Sequence, residues 1–491
     1  MTSGETVRTC RRALGRGRLT IGLLWGARRL ILAGKLKRVL PWIAGAAGFL
    51  ALVVSAWGDP AQDCHARALA KLARGNLSGA LAEENRALDL RSDFPAAYFT
   101  RGRVQLQLGR PADALADFNA VVQREPHNAA AYCALGDVRR AQGDLLGALA
   151  DYDLAILNQP DLVAAYAGRA ETRRRRGDLP GAIADDAKVL AAEPRDAAAL
   201  AGRAAARLAG GDYAGAEADA TRALALQPDQ PEVYNNRALA RKSRGAPDLA
   251  LLDYNQALEL KPDYVEAYLG RAYVKALLGD LAGAEADDTL AISYGPTDAI
   301  AYYNRGAVRQ AQGKMDLAVL DFNQAIQANP GFAYAYRNRG MVRFDAHDFV
   351  SAETDFRKAI ELDPALTYVR FRIWLARARL GQPDQATTEL RTYLDGLPAG
   401  GPPAWPVLVG RLLADELGEG DLLAAAQRQG PGKVAGCQCE AYYYVGARRL
   451  VTGDTLGATD YFQKAVATGQ KELQEYNSAV AELAFLKAAN H

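Results

Sequence analysis

Histidine is scarce in this chain: the 491 residues include four, His65, His127, His347 and His491. They lie far apart and offer neither a metal-binding cluster nor a histidine-dependent triad. Five cysteines are too few to build a disulfide scaffold. No HExxH, GxSxG or phosphate-loop pattern occurs. The chain therefore reads as non-enzymatic, with no cofactor and no metal. Surplus positive charge is also missing from most of it. Beyond residue 38 there are 49 Lys/Arg against 56 Asp/Glu, a net −7. Phosphate neutralisation needs a clustered positive surface, so nucleic acid is not expected as a partner. What is present is ample core material: 49% hydrophobic and 24% charged residues, a globular composition.

The positive charge is concentrated at the N-terminus, where residues 1–38 carry +9. Lys35, Lys37 and Arg38 precede an uncharged stretch at 39–58, VLPWIAGAAGFLALVVSAWG. A basic flank, an apolar run and then small residues are the parts of a secretory signal, with a cut after Ala56 or after Gly58. A retained membrane helix is the other reading, since about 20 apolar residues cross a bilayer. Either way the basic flank stays cytoplasmic and the chain from Asp59 onward is exported. The expected location is the periplasm, free or anchored in the inner membrane through 39–57. Residues 1–34 are long for a signal's basic region, which leaves open a misassigned start or an Arg-rich organelle presequence.

Three series of residues share one period of 34. Proline recurs from Pro126 to Pro398, alanine from Ala80 to Ala386, and glycine from Gly75 to Gly313, with His347 breaking the last run before Gly381 resumes it. Within one period, Tyr268 and Ala272 share a helix face. Gly279 ends that helix, and Ala284 is small where the second helix approaches closely. Pro296 stops the second helix. A lone helix pair cannot bury its apolar stripe, so successive pairs stack into an all-α solenoid.

Tyr302, Gly306, Ala318, Phe322, Ala325 and Pro330 stand at positions 4, 8, 20, 24, 27 and 32 of one period. In this the chain resembles the tetratricopeptide repeat (TPR) family. The resemblance implies a right-handed superhelical solenoid of helix-turn-helix units, ten of them over 61–398, binding protein or extended peptide on a concave face. Ser92 replaces proline in the first repeat and Trp374 the small residue in the tenth, divergence that suits terminal caps. Residues 1–58 form a basic tail with the hydrophobic segment, and 399–487 a C-terminal helical region. Within that region AGGPPAWPVLV is a break and GRLLADELGEGDLLAAAQ is helix-like. One further TPR-like unit starts near Cys439, and a closing helix spans 472–487. AWPVLV (404–409), DLLAAA (421–426), CEAYYYVGARRLVTGDTLGATDYFQKAVATG (439–469) and the EYNSAVAELAFL that follows resemble the NlpI-type periplasmic TPR proteins. That resemblance implies an envelope adaptor, often a homodimer, presenting peptidoglycan hydrolases to a partner protease. Those proteins are lipoproteins with fewer repeats, whereas Cys64 here follows Ala61-Gln62-Asp63 and has no lipobox.

Asparagine at repeat position 6, in Asn236, Asn304 and Asn338, lies where the TPR resemblance implies hydrogen bonds to a peptide backbone. Asn235, Tyr303 and Arg337 at position 5, with Tyr273 and Met341 at position 9, would furnish the walls. A basic strip of Arg103, Arg140 and Arg174 is a second candidate surface, for an acidic peptide or glycan. Arginine at position 7 and aspartate at position 23 recur together, and such matched repetition favours structural bidentate pairs. Cys437-x-Cys439 is expected in a loop, and the acidic pairs Glu83–Glu84 and Asp287–Asp288 on solvated helix surfaces.

Overall fold

The computed structural model describes residues 59–398, 404–430 and 432–489; the expected signal or anchor at 39–57 lies outside them. The described residues form 25 helices and no strand. None of these helices is long and apolar enough to cross a membrane.

The chain divides into two compact bodies, one up to Ala192 and one from Glu193 onward. The first contains four helix pairs: α1 (Pro60–Ala73) with α2 (Leu77–Leu90), α3 (Pro95–Gln107) with α4 (Pro111–Arg124), α5 (Ala129–Ala141) with α6 (Leu145–Asn158), and α7 (Val163–Arg176) with α8 (Leu179–Ala192). The second continues with α9 (Ala197–Ala209) and α10 (Tyr213–Leu226), α11 (Pro231–Ser243) and α12 (Pro247–Leu260), then α13 (Val265–Leu277) and α14 (Leu281–Tyr294). Three more pairs complete ten repeats: α15 (Ala299–Ala311) with α16 (Met315–Ala328), α17 (Ala333–Asp345) with α18 (Phe349–Leu362), and α19 (Thr367–Arg379) with α20 (Pro383–Asp395).

Local chemistry sets each boundary. The side chains of Asp144, Asp212 and Asp280 accept from the backbone N–H of Gly147, Gly215 and Gly283 at 2.9 Å, capping three second helices. The turn before each cap needs a left-handed residue, which the glycine series provides. His347 stands in that series and takes the same conformation, with φ 61°. Its ring stacks on Phe485 at 3.8 Å, a contact that glycine could not make. Between the helices of a pair, alanine at position 20 is fully buried, as at Ala284 and Ala318. Glycine at position 8 admits the ring at position 24: a Cβ on Gly306 would sit 2.8 Å from Phe322. Each fully buried ring contributes roughly 1.5–3 kcal/mol of hydrophobic stabilisation.

After the tenth repeat come α21 (Trp405–Leu413), α22 (Glu419–Gln427), α23 (Val434–Val451), α24 (Thr455–Ala467) and α25 (Gln474–Ala489). Three expectations are corrected here. The segment 410–427 is not one helix but parts of two, broken where Asp415 takes φ 60°. Cys437 and Cys439 are not in a loop but inside α23, buried and unpaired, because α23 begins more than a turn before the repeat register does. The acidic pairs are not solvated: Glu83, Glu84, Asp287 and Asp288 are all buried. Position 23 faces the partner helix of its own pair, and position 24 is the site that aromatic rings fill elsewhere.

Candidate functional site

In the second body the first helices of successive repeats touch: α9 with α11, α11 with α13, α13 with α15, and α15 with α17. The second helices make no comparable contact among the described residues. The stack therefore curves, with the first helices on its concave side.

The position-7 arginines are committed to the fold. Arg305 donates to Asp321 through Nη2 at 2.7 Å and through Nε, while its Nη1 reaches Thr289 of the preceding repeat at 3.3 Å. Arg309 closes the other side of the same carboxylate at 2.8 Å. This arrangement recurs at Asp185, Asp219, Asp253 and Asp355, with a lysine as second cation at Asp287. Sequence reasoning missed the second cation, although Arg173, Arg207, Arg241, Lys275, Arg309 and Arg343 keep the 34-residue period. Asp151 has a single cation, Arg139 at 2.7 Å, because the buried Leu135 replaces its position-7 arginine. Burial pushes its carboxyl up to about 6.

The concave face carries the candidate amides unequally. Asn236 and Asn304 are half-buried, and neither makes a side-chain hydrogen bond among the described residues. Asn338 is engaged: its Nδ2 donates to Tyr303 Oη at 3.3 Å, and Arg337 Nε donates to its Oδ1 at 3.0 Å. Between Asn236 and Asn304 the series is interrupted by Gly270, where a Cβ would meet the Tyr254 ring at 2.5 Å. Tyr273 is 56% exposed, with Lys242 Nζ 4.6 Å from its ring centre. Burial lowers the Lys242 ammonium pKa.

The candidate basic strip lies in the first body, and two of its members are neutralised locally. Arg174 pairs with Asp186 at 2.7 Å and with Glu171 at 2.6 Å. Arg140 donates to Tyr152 Oη at 3.2 Å and to Asp137 at 3.3 Å. Arg103 is exposed.

At the last two repeats the concave face is covered by α25. Arg372, at position 6, is 1% exposed and donates to Tyr443 Oη at 2.7 Å, Ser478 Oγ at 3.0 Å and Glu475 at 3.2 Å. Arg379 reaches Glu482 at 2.8 Å, and Ser478 donates to Asp345 at 2.7 Å. Burial pushes the Asp345 carboxyl up to about 6. This seating was missed, yet a signal existed: arginine appears at position 6 in the tenth of the ten repeats and in no other. Beside α25 the face opens into a cavity of about 920 Å³.

Asp288, also in the second body, is fully buried, and neither carboxylate oxygen has a hydrogen-bond partner among the described residues. Burial, reinforced by the neighbouring Asp287, pushes it up to about 8. Glu84 occupies the same repeat position in the first body, where His65 Nδ1 lies 2.8 Å away. The described residues contain no group of acids, histidines and cysteines able to hold a metal ion.

Tetratricopeptide repeat family models match residues 65–129 and 99–168 in the first body, and 231–264 and 299–332 in the second. No curated protein matches the sequence. A TPR protein from Parabacteroides merdae is 25% identical and covers 48% of this chain and 93% of its own, at a TM-score of 0.40. The C-terminal part of a TPR repeat-containing protein from Cytophaga hutchinsonii is 20% identical, covers 49% and 98%, and has a TM-score of 0.40. PilW, a type IV pilus biogenesis factor, is 23% identical over 41% of this chain and 94% of its own, at 0.37. The family matches coincide with the 34-residue helix pairs and their buried small and aromatic positions. The chain is a tetratricopeptide repeat protein.

Proposed function

We propose that the concave face of the second body docks protein partners and that the chain is an exported, non-catalytic adaptor. The observation that carries this reading is the pair Asn236 and Asn304, two amides on one face with their donors and acceptors unspent. Exposed Tyr273 adds an aromatic anchor between them. Export is supported by the basic flank and the uncharged run at 39–58. The C-terminal resemblance to NlpI-type proteins supports an envelope role with cell-wall hydrolases among the partners. A second reading, a membrane-anchored assembly subunit, is favoured by the length of the same run, which suffices for a span.

Affinity capture from envelope extract tests the face, comparing the wild type with Asn236→Ala/Asn304→Ala. Partners lost from the double variant support concave docking; the same partners at the same affinity overturn it. A reporter fused after Pro60 tests export, which activity of a cytoplasm-only reporter would refute. Retention of 39–57 in the mature protein favours the anchored subunit.

A further inference from the structure

The cavity beside α25 differs in kind from the open face around Asn236. One wall is the concave surface, with Ala307 and Ala311 one turn apart on α15 and Met341 on α17. The other wall is α25 itself, which presents Val480, Ala481 and Ala484. Val480 is 45% exposed, so this side of α25 has an apolar stripe with nothing packed on it. Small residues one turn apart let another helix approach closely, as alanine does inside every repeat here.

Polar groups able to pair an extended backbone are few. An extended peptide brings an N–H and a C=O at every residue, and each needs a partner once desolvated. Asn338 already gives one N–H to Tyr303 and accepts one from Arg337. Asn477 Nδ2 is spent on the carbonyls of Lys471 and Leu473. Of the amides lining the cavity, Gln310 alone makes no side-chain bond among the described residues. A helix satisfies its own backbone and asks for none of this. With a diameter of about 10–12 Å and a rise of 1.5 Å per residue, roughly 5–8 helical residues fill such a volume.

The same wall already holds a helix. Glu475 and Glu482 of α25 stand seven residues apart and meet Arg372 and Arg379, also seven apart, so the tenth repeat recognises a helix through its carboxylates. Next to them, Arg337 has no carboxylate partner, and Lys471 has no polar side-chain partner among the described residues. Among the described residues, Glu472 is the acid of the lining with neither a side-chain hydrogen bond nor an ion pair.

We infer that this cavity seats an amphipathic α-helix from a partner protein, laid beside α25, with an apolar stripe against Met341 and Val480 and a carboxylate towards Arg337 and Lys471. The inference rests on the concave face being the docking surface and names what docks there: a helix, not an extended strand.

Two displayed peptide libraries panned on the full-length chain test it. One is an alanine-rich helical scaffold randomised at i, i+3, i+4 and i+7; the other has equal length with proline at every third residue, which forbids a helix. Helical clones carrying Asp or Glu at the stripe's edge are expected. They should bind Ala311→Trp, which fills the cavity from an exposed position, at least tenfold more weakly, with helix content unchanged by circular dichroism. Arg337→Glu should shift the enriched clones from acidic to Lys-bearing edges. Enrichment from the proline library alone, enrichment from neither, or helical clones indifferent to Ala311→Trp would each overturn the inference. Those outcomes, with envelope capture still dependent on Asn236 and Asn304, would remove the helix and leave concave docking standing.

Discussion

Arg372 of the tenth repeat donates to Glu475 of the closing helix at 3.2 Å, across 103 residues of sequence. The guanidinium is 1% exposed, so its charge has no water to fall back on. Tyr443 and Ser478 both accept from its Nη1, and Tyr444 Oη donates to the same Glu475 at 3.0 Å. The pair locks α25 against the concave surface, so the C-terminal helix shares a core with the last two repeats.

Removing one partner of that pair should cost far more than removing both. Arg372→Met leaves Glu475 buried without its cation, and about 3–5 kcal/mol of stability should be lost. Arg372→Met with Glu475→Leu replaces the pair with apolar side chains and should recover most of that loss. Urea unfolding of the three proteins checks this; equal loss in the single and double variants would mean that the pair does not seat the helix.

Asp288 should make the second body less stable as pH rises. Folded, it keeps its proton up to about pH 8, whereas the unfolded chain releases it near 3.8. Below the unfolded value both states are protonated and nothing is lost. Between 3.8 and 8 the unfolded state alone is charged, so stability falls as pH rises, and above 8 the full cost of a buried charge is present. Asp288→Asn should unfold much like the wild type at pH 4 and be more stable by roughly 1–3 kcal/mol at pH 8. A wild-type minus variant difference that does not change with pH would refute the assignment.

The helix pairs were legible because one physical requirement repeats: a turn, a small contact and a stop, every 34 residues. Ala284, Gly279 and Pro296 could each be read without knowing what they touched. Asp288 and Glu84 were misread for the same reason, since adjacent acids suggest a solvated face. Their place at position 24, where Phe322 and Tyr254 are fully buried, was the better guide. The seating of α25 was hidden because Arg372 and Glu475 belong to different periods and pair once. Which asparagines stay free also depends on contacts that repeat position does not specify, as Tyr303 shows by engaging Asn338.

Ala284→Leu should separate α13 from α14. Ala284 is fully buried and packs with Ala272 and Val308, leaving no room for three further carbons. Overpacking of this kind costs roughly 1–3 kcal/mol. A lower thermal midpoint is the expected result, and an unchanged midpoint would show that the helices do not meet there.

The last prediction separates binding from framework on neighbouring positions of the same helices. Asn236 and Asn304 stand beside Arg237 and Arg305, yet the side chains face different tasks. The amides spend no hydrogen bonds on the fold, so Asn236→Ala/Asn304→Ala should leave helix content and thermal midpoint unchanged. Each amide bond to a partner contributes about 0.5–1.5 kcal/mol net, and the double variant should weaken partner binding by roughly 1–3 kcal/mol if the two add. Arg237→Ala/Arg305→Ala should behave in the opposite way. Asp253 and Asp321 are each 2% exposed and would keep one cation instead of two. Asp151, which already has one cation, shows the consequence: burial holds its carboxyl at about 6. The arginine variant should therefore lose stability most at neutral pH and regain part of it towards pH 5, as the under-compensated aspartates take up protons. Partner affinity, measured under conditions where the variant remains folded, should match the wild type. If the asparagine variant unfolds early, or the arginine variant keeps its midpoint and loses its partners, the two roles are reversed.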